Sequence, residues 1–327
     1  MIQHRENTML SRVAETLYWM SRYLERAVQT ARLLDVDFQL RLDQLPDASA
    51  SRWLQLLEAS QAPAPVDGKL DAATLSHILA LDRTNPSSII SCITKARENL
   101  RQVREQCGSE MWEQLNRLYL KVTGTASTNA LLHHSYGFFR EVQEGVHLFH
   151  GITATTMAHG EGWQYMQLGR CVERTDALAR LIGTHFSWLH NSLDQAVESE
   201  EYLEWVGLLK SCAAFEAYCK VYTAEVRPLR VAEFLLLNPT FPHSVRFSVD
   251  MIHASLAAIG QLTERRVEEP VRLAGRLRAT LSFTQIDEVM ASGANIFVES
   301  IRYQCAQIHN SIHQIYFDYP VESALAS

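Results

Sequence analysis

One five-residue pattern occurs twice, and its recurrence constrains the fold more than any other feature of the chain. Arg22-Tyr23-Leu24-Glu25-Arg26 and Arg170-Cys171-Val172-Glu173-Arg174 both read R-x-x-E-R, 148 residues apart. Each continues into a small, Arg, apolar, apolar run: Ala31-Arg32-Leu33-Leu34 and Ala179-Arg180-Leu181-Ile182. Trp53-Leu54-Gln55-Leu56-Leu57 matches Trp205-Val206-Gly207-Leu208-Leu209 at an offset of 152. Leu79-Ala80-Leu81 followed by Ser88-Ile89 matches Leu235-Leu236-Leu237 followed by Ser244-Val245 at 156. The offset grows by four at each step, as short loop insertions between equivalent helices would produce. Phe139-x-Glu141 against Phe297-x-Glu299 is a fainter echo. We read two tandem copies of one unit, repeat 1 over about 9–155 and repeat 2 over about 156–318.

The unit is helical. Gly and Pro number only 14 and 9, apolar residues recur three and four apart, and no stretch alternates with period two. Leu17, Met20, Leu24, Ala27, Ala31 and Leu34 place one apolar face on a helix expected over 11–43, ended by Pro46-Asp47-Ala48-Ser49. Further helices are expected over 51–60, from an Asp71 cap to 81, from Asn85-Pro86-Ser87-Ser88 to 107, over 109–124 and over 128–150. Gly151 to Gly162 reads as a broken connection, with a second long helix over 163–190 beyond it. Helices over 199–223, 229–236 and 243–263 follow, then a segment opened by Glu269-Pro270 and a closing helix over 285–317. Each amphipathic helix must bury its stripe against another element. The expected fold is therefore all-α: one helical bundle of two tandem pseudo-repeats with pseudo-two-fold symmetry, spanning 9–320 between an N-terminal extension, 1–8, and a tail, 321–327.

Composition narrows the partners. Net charge is −7 with both signs interspersed, so no basic stripe marks a nucleic-acid binder. No apolar run reaches bilayer length, and the first eight residues lack the apolar core of a secretory signal. A cytoplasmic location without membrane contact is expected. The six cysteines form no C-x-x-C pair and sit in helix-like contexts, which points to buried reduced thiols. Glu144 and His147 have the Glu-x-x-His spacing of bundle metal sites but stand alone, and His309 with His313 share one face. No metal or cofactor is expected, and no nucleotide-binding loop or nucleophile elbow is present.

At about 100° per residue, Arg22, Glu25 and Arg26 share a narrow face with Tyr18 and Gln29, and Arg170, Glu173 and Arg174 do likewise. Three readings stand. The face is solvated and laced with weak helical ion pairs. It is a buried Arg–Glu network that sets the register of the two halves. Or it lines a cleft, in which Arg22, Arg26, Arg170 and Arg174 bind a carboxylate or phosphate and Glu25 and Glu173 act as general base and acid or join a metal site.

The opening run from Met9 to Arg26, with Leu168-Gly169-Arg170-Cys171-Val172-Glu173-Arg174, Asn85-Pro86-Ser87-Ser88 and Ala96-Arg97-Glu98-Asn99, resembles the bacterial alpha-E family, a helical domain known for its Glu-Arg motifs. The resemblance covers the chain from Met9 to about Phe317, which makes Met9 a candidate initiator; Ser21 stands where glycine is usual. It implies a neighbouring circularly permuted ATP-grasp protein and often a transglutaminase-like peptidase, in a system that forms or modifies peptide amide bonds. The chain would be the accessory partner of the ATP-grasp ligase or a second enzyme. The resemblance also carries Arg22, Glu25, Arg26, Arg170, Glu173 and Arg174 as motif positions.

Overall fold

In the computed structural model, residues 9–43, 49–65, 70–124, 135–188, 199–223, 225–263 and 268–317 are described. The start of the helix expected from Thr128, with His133 and His134, lies outside them, as do the extension 1–8 and the tail 321–327. Every regular element among the described residues is helical. In the first half these are α1 (Ser11–Asp43), α2 (Ser49–Ala59), α3 (Ala72–Ser76), α4 (Ile89–Gln102), α5 (Ser109–Gly124) and α6 (Ser135–Thr156). The second half holds α7 (Glu161–Trp188), α8 (Ser199–Ser211), α9 (Phe215–Tyr222), α10 (Pro228–Leu237), α11 (Val245–Thr263), α12 (Glu268–Phe283), α13 (Ile286–Ser292) and α14 (Ala294–Ile312).

Three expectations change. Gly151 lies inside α6, and only residues 157–160 connect it to α7, because Thr153, Thr155 and Thr156 return their hydroxyls to carbonyls of the preceding turn and leave the helix intact. The helix expected over 199–223 breaks between α8 and α9, where Ala213 adopts φ 52°. The closing helix breaks at Gly293, whose φ of 92° favours a residue without Cβ.

α1 and α7 form the centre. Leu17, Met20, Leu24, Ala27, Ala31 and Leu34 are fully buried as the periodicity requires, but so are Tyr18, Ser21 and Glu25 on the opposite side. A helix covered all round needs neighbours all round. α4 and α6 pack on α1, and α11 and α14 pack on α7. α5 closes over α4 and α6, and α12 over α11 and α14. α2 leans on α7 while α8 leans on α1. One apolar core runs through the helices of both halves.

The two central helices run parallel, since their contacts climb together from Tyr18 with Gly169 to Glu25 with Arg174. At Gly169 the two backbones approach too closely for a side chain. A Cβ there would lie 2.2 Å from the Tyr18 carbonyl oxygen.

Turns carry the neighbours to the motif. Asp82 Oδ1 accepts from the amide and hydroxyl of Thr84, and Ser88 Oγ donates to the Asp82 carbonyl and accepts from the Ser91 amide. In the second half Asn238 Oδ1 accepts from Thr240 in the same way, and Ser244 Oγ donates to the Asn238 carbonyl and accepts from the Phe247 amide. Both serines thus cap a helix N-terminus (α4 and α11) and tie it to the preceding helix.

Candidate functional site: a crossed Arg–Glu clasp and the cleft beside it

The motif faces of α1 and α7 turn towards each other, and the ion pairs cross between them. Glu173 receives Arg22 Nε at 2.8 Å on Oε2 and Arg26 Nε at 2.6 Å on Oε1, with Arg26 Nη2 at 3.1 Å on Oε2. Glu25 receives Arg174 Nε at 2.7 Å and Nη2 at 2.9 Å, one to each oxygen, plus Gln29 Nε2 at 3.0 Å. Both carboxylates are 1% exposed. Forked guanidinium–carboxylate pairs of this kind are among the stronger hydrogen bonds in proteins. The solvated-face reading is excluded by that burial.

The clasp is not fully reciprocal. Arg170 holds Gln167 one turn back on its own helix, not Glu25, and its Nε is buried with no hydrogen-bond partner among the described residues. Arg22 also reaches His309 from Nη1 at 3.2 Å, and the His309 ring lies stacked on Tyr18. The capped turns complete the shell: Arg26 Nη1 donates to Ser87 Oγ at 3.3 Å, and Arg174 Nη1 to the Pro242 carbonyl at 3.0 Å.

Electrostatics fix the charge states. Burial alone would raise both carboxyls, but the guanidinium charges and hydrogen bonds overcome it. Arg22 and Arg26 hold Glu173 at about 2, and Arg174 holds Glu25 far below the usual carboxylate range. Burial pushes His150 and His309 down to about 3 and takes His243 well below its usual value, so all three are neutral at pH 7. Burial likewise lifts the Cys92, Cys212 and Cys305 thiols to about 12, where they are not nucleophiles. All six cysteines are free thiols. His147 faces Arg32 at 3.4 Å, while its sequence neighbour Glu144 pairs outward with Arg140. Among the described residues no three His, Cys, Asp or Glu side chains converge as metal ligands.

One buried histidine sets a pH dependence. His185 on α7 packs edge-on against Trp205 and is pushed down to about 4 by burial alone. Its unfolded value is near 6.5, so below that pH the unfolded chain takes up a proton that the native ring refuses. The stability it contributes is complete above pH 6.5 and is lost as pH falls towards 4. Between pH 6 and 5 the native state is expected to lose about 1 kcal/mol through this residue. Urea denaturation of the wild type and His185→Phe at both pH values checks it: the variant's loss should be smaller by that amount.

A narrow cleft of about 30 Å³, room for a small group and no more, lies beside the clasp between α1 and α7. Arg26, Arg32, Glu173, Arg180 and His243 stand in its wall, with Leu33 and Leu181 as apolar flanks. Of the six motif residues only Arg26 and Glu173 reach it. Arg22, Glu25, Arg170 and Arg174 do not. Arg32 and Arg180, which the sequence shows only as continuations of the repeat, do. That recurrence of an arginine in an otherwise apolar run was the signal for them.

An all-helical bundle with a buried, crossed Arg–Glu clasp at its central helix pair defines the class. The chain belongs to the Alpha-E family, described as "a predicted alpha-helical domain with a conserved ER motif", whose model matches residues 9–317. Among curated proteins it is similar to an uncharacterized protein of Mycobacterium bovis, 24% identical over 333 residues, which span 92% of this chain and 35% of the relative. Uncharacterized proteins of two Mycobacterium tuberculosis strains, CDC 1551 and H37Rv, are 24% and 23% identical over the same shares. The chain thus spans about a third of the length of these relatives. No solved structure matches. Among the described residues no helix is long and apolar enough to cross a membrane.

Proposed function

We propose that the chain is the helical accessory subunit of a system that forms or modifies peptide amide bonds, acting as partner of an ATP-grasp ligase. The observation that carries this reading is the charge state of the motif. Glu25 and Glu173 are buried, held by several donors each and ionised throughout the physiological range. A carboxylate held at about 2 is a weak base and cannot serve as an acid at neutral pH. The motif therefore fixes the register of two tandem helical units, a reading supported by the matching neighbours of α1 and α7. Activation of a substrate carboxylate falls to a partner that binds ATP. In the mycobacterial relatives the region similar to this chain is about a third of a longer protein, as expected of a unit that works beside another.

The alternative, an enzyme in its own right, draws on Glu173 and Arg26 lining the cleft. Co-expression with an ATP-grasp ligase of the same source separates the two. The expected result is a complex that survives gel filtration, with ATP turnover by the ligase raised about tenfold or more when the chain is present and none by the chain alone. Turnover of a peptide or acyl phosphate by the isolated chain would overturn the accessory reading.

A further inference from the structure

The cleft holds more positive charge than its carboxylates neutralise. Glu173 alone answers both Arg22 and Arg26, and Asp176 answers Arg180 at 2.6 Å. Arg32 forms no ion pair among the described residues. It is 6% exposed; among the described residues its Nη2 has a hydrogen bond to the neutral His147 ring, and its Nη1 is buried with no hydrogen-bond partner. A buried guanidinium with an open donor is costly unless something anionic meets it. Arg180 faces the same space from α7, its Nε held by the Ala59 carbonyl at 3.0 Å and its Nη1 by Asp176. These two bonds hold the guanidinium at the cleft wall without exhausting its five donors.

We propose that the cleft between α1 and α7 is an oxyanion-binding site, in which Arg32 and Arg180 grip a carboxylate or phosphoryl group from opposite walls, with Arg26 behind it. Leu33 and Leu181 at its sides suit the apolar stem of the molecule that carries the group. His243, neutral and within the wall, supplies a hydrogen bond without adding charge. The two gripping arginines lie outside R-x-x-E-R, so the motif chiefly braces the two walls and the following Ala-Arg repeat binds. It does not depend on the ATP-grasp partner, and its test uses this chain alone.

Isothermal titration calorimetry of the purified full chain with sodium glutamate and with inorganic phosphate, each at ionic strength matched with chloride, reads the site directly. Saturable one-site binding of either probe is expected, and which probe binds tells whether the group is a carboxylate or a phosphoryl. Arg32→Gln and Arg180→Gln should each weaken it about tenfold or more, while Arg101→Gln, at an exposed pair with Glu98 on α4, leaves it unchanged. A second readout separates binding from structure. Removing an unpaired buried charge should leave ligand-free Arg32→Gln at least as heat-stable as the wild type, yet abolish the rise in melting temperature that the anion gives. No binding by either probe, binding unaffected by both variants, or a destabilised Arg32→Gln protein would overturn the proposal.

Discussion

Glu173→Gln is expected to destabilise the protein by about 3–5 kcal/mol, the usual cost of breaking a buried ion pair from one side. Among the described residues Glu173 is the sole carboxylate paired with Arg22 and Arg26, whose guanidiniums would stay buried without a counter-charge. The amide keeps the shape and one acceptor, so the loss is electrostatic rather than steric. Acid should mimic the substitution. The folded value of Glu173, about 2, lies below its ordinary 4.5, so its contribution is complete above pH 4.5 and fades as pH falls towards 2. Urea titrations of wild type and variant at pH 7 and pH 3.5 check both statements: the gap between the two proteins should be wide at pH 7 and narrower at pH 3.5. Equal stability of the two proteins at pH 7 would mean the clasp contributes nothing to the fold.

Gly169→Ala should cost about 3 kcal/mol or more, above the common range for adding a methyl to a packed core. The reason is what the methyl meets. Its nearest neighbours are the carbonyl oxygen, carbonyl carbon and Cα of Tyr18, at 2.2, 3.0 and 3.2 Å, all backbone. No rotamer change can relieve that, so α1 and α7 must separate where the clasp needs them close. Gly151→Ala makes the control: it is helical, exposed, and a Cβ there meets nothing within 4 Å. Alanine at Gly151 should raise stability by about 0.5–1 kcal/mol through helix propensity alone. Thermal denaturation of the two single variants should therefore move the midpoint in opposite directions. A shift of equal sign and size would place the closest approach of the helices elsewhere.

Much of this was readable from residue order. The apolar spacing in α1, the Asp71 and Ser88 caps and the bounds of α5 follow from local chemistry, which needs no partner to act. The crossing of the ion pairs was not readable. Arg22, Glu25 and Arg26 lie on one face, so a pairing within α1 is as natural from sequence as one across 151 positions to Glu173. The packing of α1 on α7, close at Gly169, brings Glu173 within reach of Arg22 and Arg26. Arg32 recurs visibly in the repeat, but its role was hidden for a related reason. It sits next to Leu33 in an apolar run, and the cleft that gives it meaning is made by α7, far along the chain. The break at Ala213 escaped because no glycine or proline marks it; the backbone turns there at a residue that ordinarily continues a helix.

The crossed pairing also bears on the order in which the protein is made. Glu25 and Arg174 are 149 positions apart, so a ribosome exposes the carboxylate long before its partner exists. At about 5–20 residues per second the wait is roughly 7–30 s. Through that interval α1 can settle on α4 and α6, but its motif face stays open to water or to a chaperone. Final closure then comes as a single late event, when α7 leaves the exit tunnel and delivers both arginine and glutamate to a helix that has been waiting for them.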